Sequence, residues 1–457
     1  MKELKKNGWV EKTYPLAETL LLVYVLESTL GCSGRWLSFG SFSIRMVLFA
    51  LCFVATLPAV FSQLKQLVRN AHIWVTVAFG AWLVACFLLG LKQGNNSGFA
   101  VADLTSFMAL ALLPGFLAVI RTRRALERTM DALFYGALIL SVVTVLLHYI
   151  LAFCNDAAVL WINDLLNMPH LGGLALLNTG LYRIFLRSQM FVQVGLFYGL
   201  WKIGCAGRKK QVLLVIALSV MLFALILSYT RSFWAGFAAS AVLLLLMEPK
   251  KAGKFMKLVG VLLAGFGVLS LISVIVYRSP AVYVEILQRF DPELLPNVKV
   301  FRPGQEIEGG DETITDINNK NATLVRKLTL EGLRSRIARK PVAGSGLGAN
   351  LDDVRSDGKT EYMYMDITMK TGFVGIVLMM LSYFGFCLRP LVKHFFKKDF
   401  LTDTPWSSQR MRNNVLLAAF VGVGVSSIFN PFLSNPMGIT VMMITAAAFA
   451  ITGKEEN

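Results

Sequence analysis

Histidine is scarce, cysteine is unpaired and no internal repeat is visible in this chain of 457 residues. Each shortage closes off a class of function. The four histidines, His72, His148, His170 and His394, are scattered, and no Asp/His cluster of the kind that holds a metal is evident. Among the six cysteines, Cys52, Cys86, Cys205 and Cys387 lie within or beside apolar runs, and Cys32 and Cys154 fall near run ends without paired spacing. They read as small packing residues rather than redox or metal motifs. The basic MKELKK start is followed by no small-residue cleavage site, so the first apolar run is expected to stay as an anchor. The missing repeat weakens a transporter built from inverted halves.

What the chain has is hydrocarbon. Hydrophobic residues make up 55% of it, and the mean hydropathy is +0.60. The apolar runs reach the roughly 20 residues that a helix needs to cross the bilayer core. The expected fold class is an all-α polytopic membrane protein. About twelve transmembrane helices are expected at that length, near 14–31, 42–64, 72–91, 99–120, 131–153, 190–206, 212–230, 232–247, 255–277, 367–388, 413–432 and 435–452. The membrane domain is thus expected over 1–277 and 367–457, with a large extracytoplasmic loop over 278–366.

The connections alternate in charge, which accounts for the net charge of +17 without nucleic acid. One set holds Lys65 and Arg69, Arg121 to Arg128, Arg208 to Lys210, Lys250 to Lys254, and Arg389 to Arg412. The positive-inside rule assigns these, with both termini, to the cytoplasm. The other set faces outward and includes two long segments, 154–189 and 278–366. In the second, PGQEIEGGDETITDINNKNAT reads as polar loop. Leu324, Leu328, Leu333 and Ile337 then recur at helical spacing and predict an amphipathic helix on the outer face, stopped by Pro341.

Arginines collect on that same face. Arg231 sits in SYTRSFWAGF, a turn with barely room for itself between two apolar runs; Arg183 and Arg187 precede the sixth run, and Arg326 lies on the amphipathic helix. Snorkelling to headgroups explains any one of them. Together they suggest an anionic ligand such as a lipid diphosphate, which arginine fits in bidentate fashion. Gly344, Gly346 and Gly348 alternate in PVAGSGLGAN without the strand that a nucleotide loop requires, so they read as sites of close approach to a neighbour or ligand, or as a flexible turn. Glu361 and Asp366 flank Tyr362 and Tyr364 at the entrance to the tenth run. Either acid is a candidate general base or an ordinary solvated carboxylate. Within the runs, Glu18, Glu27, Arg45, Asp103 and His148 are functional or structural, and Glu27 with Arg45 reads as an ion pair.

In order and topology these features resemble the O-antigen ligase and polymerase superfamily. Ser228, Arg231 and Trp234 are similar to its Ser-x-x-Arg-Gly-x-Trp-type turn; Arg326 followed by Pro341, Gly344 and Gly346 is similar to its arginine helix and Pro-x-x-Gly-x-Gly; and Thr371 to Gly375 resembles the Gly-x-x-Gly opening the next span. Arg183 or Arg187 resembles an arginine placed before span six. Ligases of the superfamily carry a His shortly before that Gly-x-x-Gly, whereas this chain has Thr360-Glu361-Tyr362, which is closer to the polymerases. The resemblance implies metal-independent glycosyl transfer, with no cofactor, on the outer face of the bacterial plasma membrane. It implies an undecaprenyl-diphosphate-linked oligosaccharide as substrate, and a flippase and chain-length regulator as partners alongside membrane lipids. In this reading Arg231 and Arg326 stabilise the leaving diphosphate, Glu361 takes the proton of the attacking hydroxyl, and Arg183, Arg187, Gly344, Gly346, Gly348, Tyr362 and Asp366 bind substrate. A ligase, or less directly a transporter of lipid-linked sugars, is the alternative.

Overall fold

The computed structural model describes residues 8–32, 34, 37–39, 42–168, 171–177, 179–290, 312–351, 360–396 and 405–455. The centre of the expected outer loop (291–311), residues 352–359, His170, Lys397 and Lys398 lie outside the described residues. The helices are α1 (Gly8–Leu30), α2 (Ile44–Ser62), α3 (Leu64–Val68), α4 (Ala71–Lys92), α5 (Ser97–Ser106), α6 (Leu113–Val119), α7 (Arg123–Ile150), α8 (Asp156–Asn167) and α9 (Met190–Cys205). They continue with α10 (Arg208–Leu227), α11 (Arg231–Met247), α12 (Ala252–Tyr277), α13 (Ala281–Gln288), α14 (Glu312–Arg339), α15 (Met363–Phe396), α16 (Gln409–Ser426) and α17 (Pro436–Glu455).

Among the described residues, seven helical segments are long and apolar enough to cross a membrane: α2, α4, α5 with α6, α7, α10, α12 with the 3-10 turn before it, and α15 as far as Leu388. Helices α9, α11 and α17 are apolar but shorter. The protein is therefore a multi-pass α-helical membrane protein. In hydrocarbon only a helix satisfies its own backbone groups along one segment, which is why the apolar runs take this form. Helix α16 opens with Arg410, Arg412, Asn413 and Asn414 yet is buried along nearly its whole length. It tolerates them because Asn414 Nδ2 donates to Glu248 Oε1 at 2.8 Å and Arg412 lies 3.8 Å from Glu127.

Several of the basic connections meet at one end of the bundle, where Arg121 Nη2 donates to Gln66 Oε1 at 3.3 Å. There Arg128 Nη1 lies 3.1 Å from Glu18, Lys202 Nζ lies 2.6 Å from Asp131, and Arg410 lies 3.6 Å from Glu248. The opposite end holds the expected Glu27–Arg45 pair, buried at 2.8 Å, with Arg45 Nη2 also donating to Cys32 O at 3.0 Å. It also holds His148, whose Nε2 lies 3.0 Å from Ser273 Oγ, close to the start of α13.

Three local features depart from the sequence reading. Two short antiparallel hairpins interrupt the helical fold, β1 (Ser38–Phe39) with β2 (Phe42–Ser43), and β3 (Gly172–Leu176) with β4 (Tyr182–Leu186). Helix α14 begins at Glu312, inside the stretch read as loop; of its expected apolar stripe, Leu333 is buried and Ile337 packs beside it, whereas Leu324 and Leu328 are exposed. The run expected over 99–120 is broken at Phe107 into α5, a 3-10 turn (Met108–Leu112) and α6.

A seam of small residues sets helix α11 in place. Ser232, Gly236 and Ser240 recur every four residues and face Gly422 and Ser426 of α16. Ser426 Oγ donates to Ser232 O at 2.9 Å, and Gln193 of α9 bonds Ser240 and Ser426, both at 3.3 Å. Small residues let backbones approach closely where lipid offers no hydrophobic drive for association. A β-carbon at Gly236 would overlap Ser426 Oγ and Gly422 O. Gly236→Val should therefore cost on the order of 1–3 kcal/mol through overpacking, read as a lower thermal midpoint in detergent. Ala235→Val, at the exposed neighbouring position, should leave the midpoint unchanged.

Candidate anion-binding site

Only Ser228, Tyr229 and Thr230 separate α10 from α11. To reverse the chain in so few residues, Tyr229 adopts a left-handed conformation, φ 46°, which costs a non-glycine residue roughly 1–2 kcal/mol. Its ring is buried against Leu181, Phe223 and Tyr277. Arg183, on β4, holds both sides of the turn: Nε donates to Ser228 O at 2.8 Å and Nη2 to Thr230 Oγ1 at 2.9 Å. Thr230 is the N-cap residue of α11 and makes no side-chain cap, so the positive end of the helix adds to the charge of Arg231, its first residue.

A fourth arginine, missed by the sequence reading, completes the cluster. Arg289 follows α13, where it pairs with Glu285 at 3.2 Å and lies over the Tyr229 ring at 5.9 Å. Glu285 is buried and accepts from Thr179 Oγ1 at 3.1 Å, in the loop between β3 and β4. Burial lifts its carboxyl above the usual range, opposed by the Arg289 guanidinium. Arg326, on α14, donates from Nε to Glu361 Oε2 at 3.1 Å, in an exposed pair at the entrance to α15.

The charges act on one another. Burial, then the guanidiniums of Arg289 and Arg326, push Arg183 down to about 10, with Glu361 pulling the other way. Burial and the same two arginines push Arg231 down as well. Arg183, Arg231, Arg289 and Arg326 thus share one positive field, and Glu285 and Glu361 offset only part of it. Guanidinium forks in such a field suit the paired oxygens of a phosphate or diphosphate. Arg187 is exposed, one residue past the end of β4.

The glycine loop lies elsewhere and meets backbone of this chain. Gly344, Gly346 and Gly348 all have φ between 73° and 78°, and press respectively against Lys370 and Gly372, against Gly90 of α4, and against Asn96 and Ala100. Ser345 N donates to Met369 O at 2.8 Å and Leu347 N to Cys86 O at 2.9 Å, which stitches α4 to α15. Gly372, φ 69°, kinks α15 where the loop crosses it. Of the reading's open alternatives, close approach to a neighbour accounts for all three glycines.

Asp366 turns inward. It pairs at 2.9 Å with Lys370, which also lies 3.1 Å from Asp103, and Gly348 N donates to Asp103 Oδ2 at 3.0 Å. Tyr362 packs edge-on to Phe429 with ring centres 6.1 Å apart, and Tyr364 donates to Gly424 O at 2.7 Å. The only sign of Arg289 in the sequence is a Glu–Arg pair four residues apart in YVEILQRF. Comparison of the chain with protein-family models, curated proteins and solved structures gives no significant match.

Inorganic pyrophosphate should raise the thermal midpoint of the purified protein, by mass action on the folded state. The rise should shrink with added salt and fall by more than half in Arg289→Ala or Arg231→Ala. A thermal-shift titration reads all three.

Proposed function

We propose that this chain is an O-antigen or polysaccharide polymerase of the bacterial plasma membrane. It joins repeat units carried on undecaprenyl diphosphate. The observation that carries the reading is the convergence of Arg183, Arg231 and Arg289 on one turn, with Arg326 near enough to act on the first two and bonded to the carboxylate of Glu361. The reading includes about twelve spans, both termini in the cytoplasm and the arginine end of the bundle outside. Segregation of the basic connections to the other end supports that orientation.

In the reaction a hydroxyl of the acceptor sugar attacks the anomeric carbon of the donor glycan. The new C–O bond forms as the bond to the diphosphate breaks, and the electron pair leaves on a phosphate oxygen. Arg231 and Arg326 meet the charge that develops there through preorganised charge-assisted hydrogen bonds. Arg183 acts through the turn, fixing where Arg231 stands, and Arg289 adds a further cation. Glu361 accepts the proton of the attacking hydroxyl. The incoming diphosphate competes for Arg326, which releases Glu361 beside the site where the hydroxyl arrives.

Reconstituted with a lipid-linked repeat unit, the protein should yield a ladder of longer glycans. Arg231→Ala should abolish the ladder while the protein stays folded, and Glu361→Gln should slow it by about 10²–10⁴-fold. Full activity in Arg231→Ala removes the leaving-group assignment. Transfer of one preformed glycan to lipid A core, without a ladder, favours a ligase.

A further inference from the structure

The break at Phe107 opens a cavity. A 3-10 turn rises about 2.0 Å per residue against 1.5 Å in an α-helix, so it shifts the side-chain stripe. Between this break, α2 and α4 lies a groove of about 490 Å³, within the range of roughly 300–1,000 Å³ of ligand pockets. Phe49 and Phe53 of α2, Val77, Gly80 and Val84 of α4, and Met108 form much of its wall. Its one hydroxyl, on Thr76, is already bonded to His72 O and to Ser382 Oγ. All three walls belong to segments apolar and long enough to cross a membrane, and Phe53, Val77, Val84 and Met108 are exposed at its mouth. The groove therefore opens to hydrocarbon.

Charge marks one end of it. Eight residues beyond Val84, about 12 Å of helical rise, α4 ends at Lys92. Its cap residue Gln93 accepts a hydrogen bond from Lys340 Nζ at 2.7 Å, and Lys92, Arg339 and Lys340 are all exposed. An anionic headgroup would meet these cations at the end of the helix along which its chain runs.

The groove also borders a niche beside the residue that precedes the candidate base. Phe107 lines both the groove and a water-sized niche of about 20 Å³, formed with Asp103, Ser106, Thr360, Asp366 and Lys370. Thr360 is 5% exposed, and its hydroxyl has no partner among the described residues. It immediately precedes Glu361, whose side chain faces the arginines through Arg326.

We propose that this groove holds the polyprenyl chain of the acceptor, a second lipid-linked glycan besides the donor at the arginines. The inference rests on the polymerase reading, in which both substrates are lipid-linked. An undivided groove takes one long chain, whereas a phospholipid brings two. Glu361 then stands between the substrates, with Arg326 on the donor side and Thr360 on the acceptor side.

The test is photolabelling of the full-length protein in proteoliposomes, with a polyprenyl diphosphate bearing a diazirine in its chain. Adducts are expected on α4 and on residues 104–114. Unlabelled polyprenyl phosphate should compete, and phosphatidylglycerol at the same excess should not. Gly80→Leu fills the groove from a position where an added β-carbon meets nothing within 4 Å. It should reduce these adducts at least tenfold and leave the pyrophosphate response intact. Adducts confined to other segments, equal competition by phosphatidylglycerol, or undiminished labelling in Gly80→Leu would overturn the proposal. Groove labelling without a glycan ladder keeps the polyprenyl site and discards the polymerase. A ladder of equal yield from wild type and Gly80→Leu discards the groove and keeps the polymerase.

Discussion

Like charges repel, and the end of this bundle that carries SYTRSFWAGF is arranged around holding four of them together. Two unit charges about 8 Å apart repel by roughly 2 kcal/mol at an effective dielectric of about 20. Nothing in an apolar bundle favours such a cluster, so each arginine is fastened separately. Arg183 is tied to a turn, Arg289 to a buried glutamate, Arg326 to Glu361, and Arg231 to a helix pinned along α16. The fastenings come from four distant parts of the chain, and the cluster exists only once the bundle has closed.

Close backbone approach is the means of closure. Gly236 and Gly422 bring α11 onto α16, while Gly90, Gly344, Gly346 and Gly372 let one loop lie between α4 and α15. The two seams flank the entrance to α15, where Glu361 and Tyr362 stand. Rigidity at the candidate site thus derives from positions that carry no functional group.

The helices were legible because hydrocarbon runs of bilayer length have few other solutions, and the Glu27–Arg45 pair because two charges in neighbouring apolar runs need each other. The arginine convergence was legible in part, from which connections share a face. Arg289 was not, since YVEILQRF looks like any short amphipathic turn and its significance lies in what packs above it. The hairpin carrying Arg183 escaped for a similar reason: its strands are five residues each, and Gly172–Leu176 reads equally well as apolar helix. The break at Phe107 was missed although Pro114, in the first turn of α6, cannot donate to the carbonyl of residue 110 and marks a helix start there. Lys370 was overlooked because a lone lysine near a span end suggests snorkelling, whereas its two acidic partners, Asp103 and Asp366, lie on α5 and on its own preceding turn.

Lys370 and Asp103 meet 3.1 Å apart in the folded protein, yet 267 residues separate them. A lysine or aspartate at the centre of a helix being inserted is disfavoured by about 2.5–3.5 kcal/mol. During synthesis Asp103 enters the membrane long before its partner exists, and it has to wait. Assembly therefore has a late contact, in which α15 brings Lys370, already paired with its own Asp366, to the carboxylate of Asp103. A chain that stopped before residue 370 would leave Asp103 without this lysine.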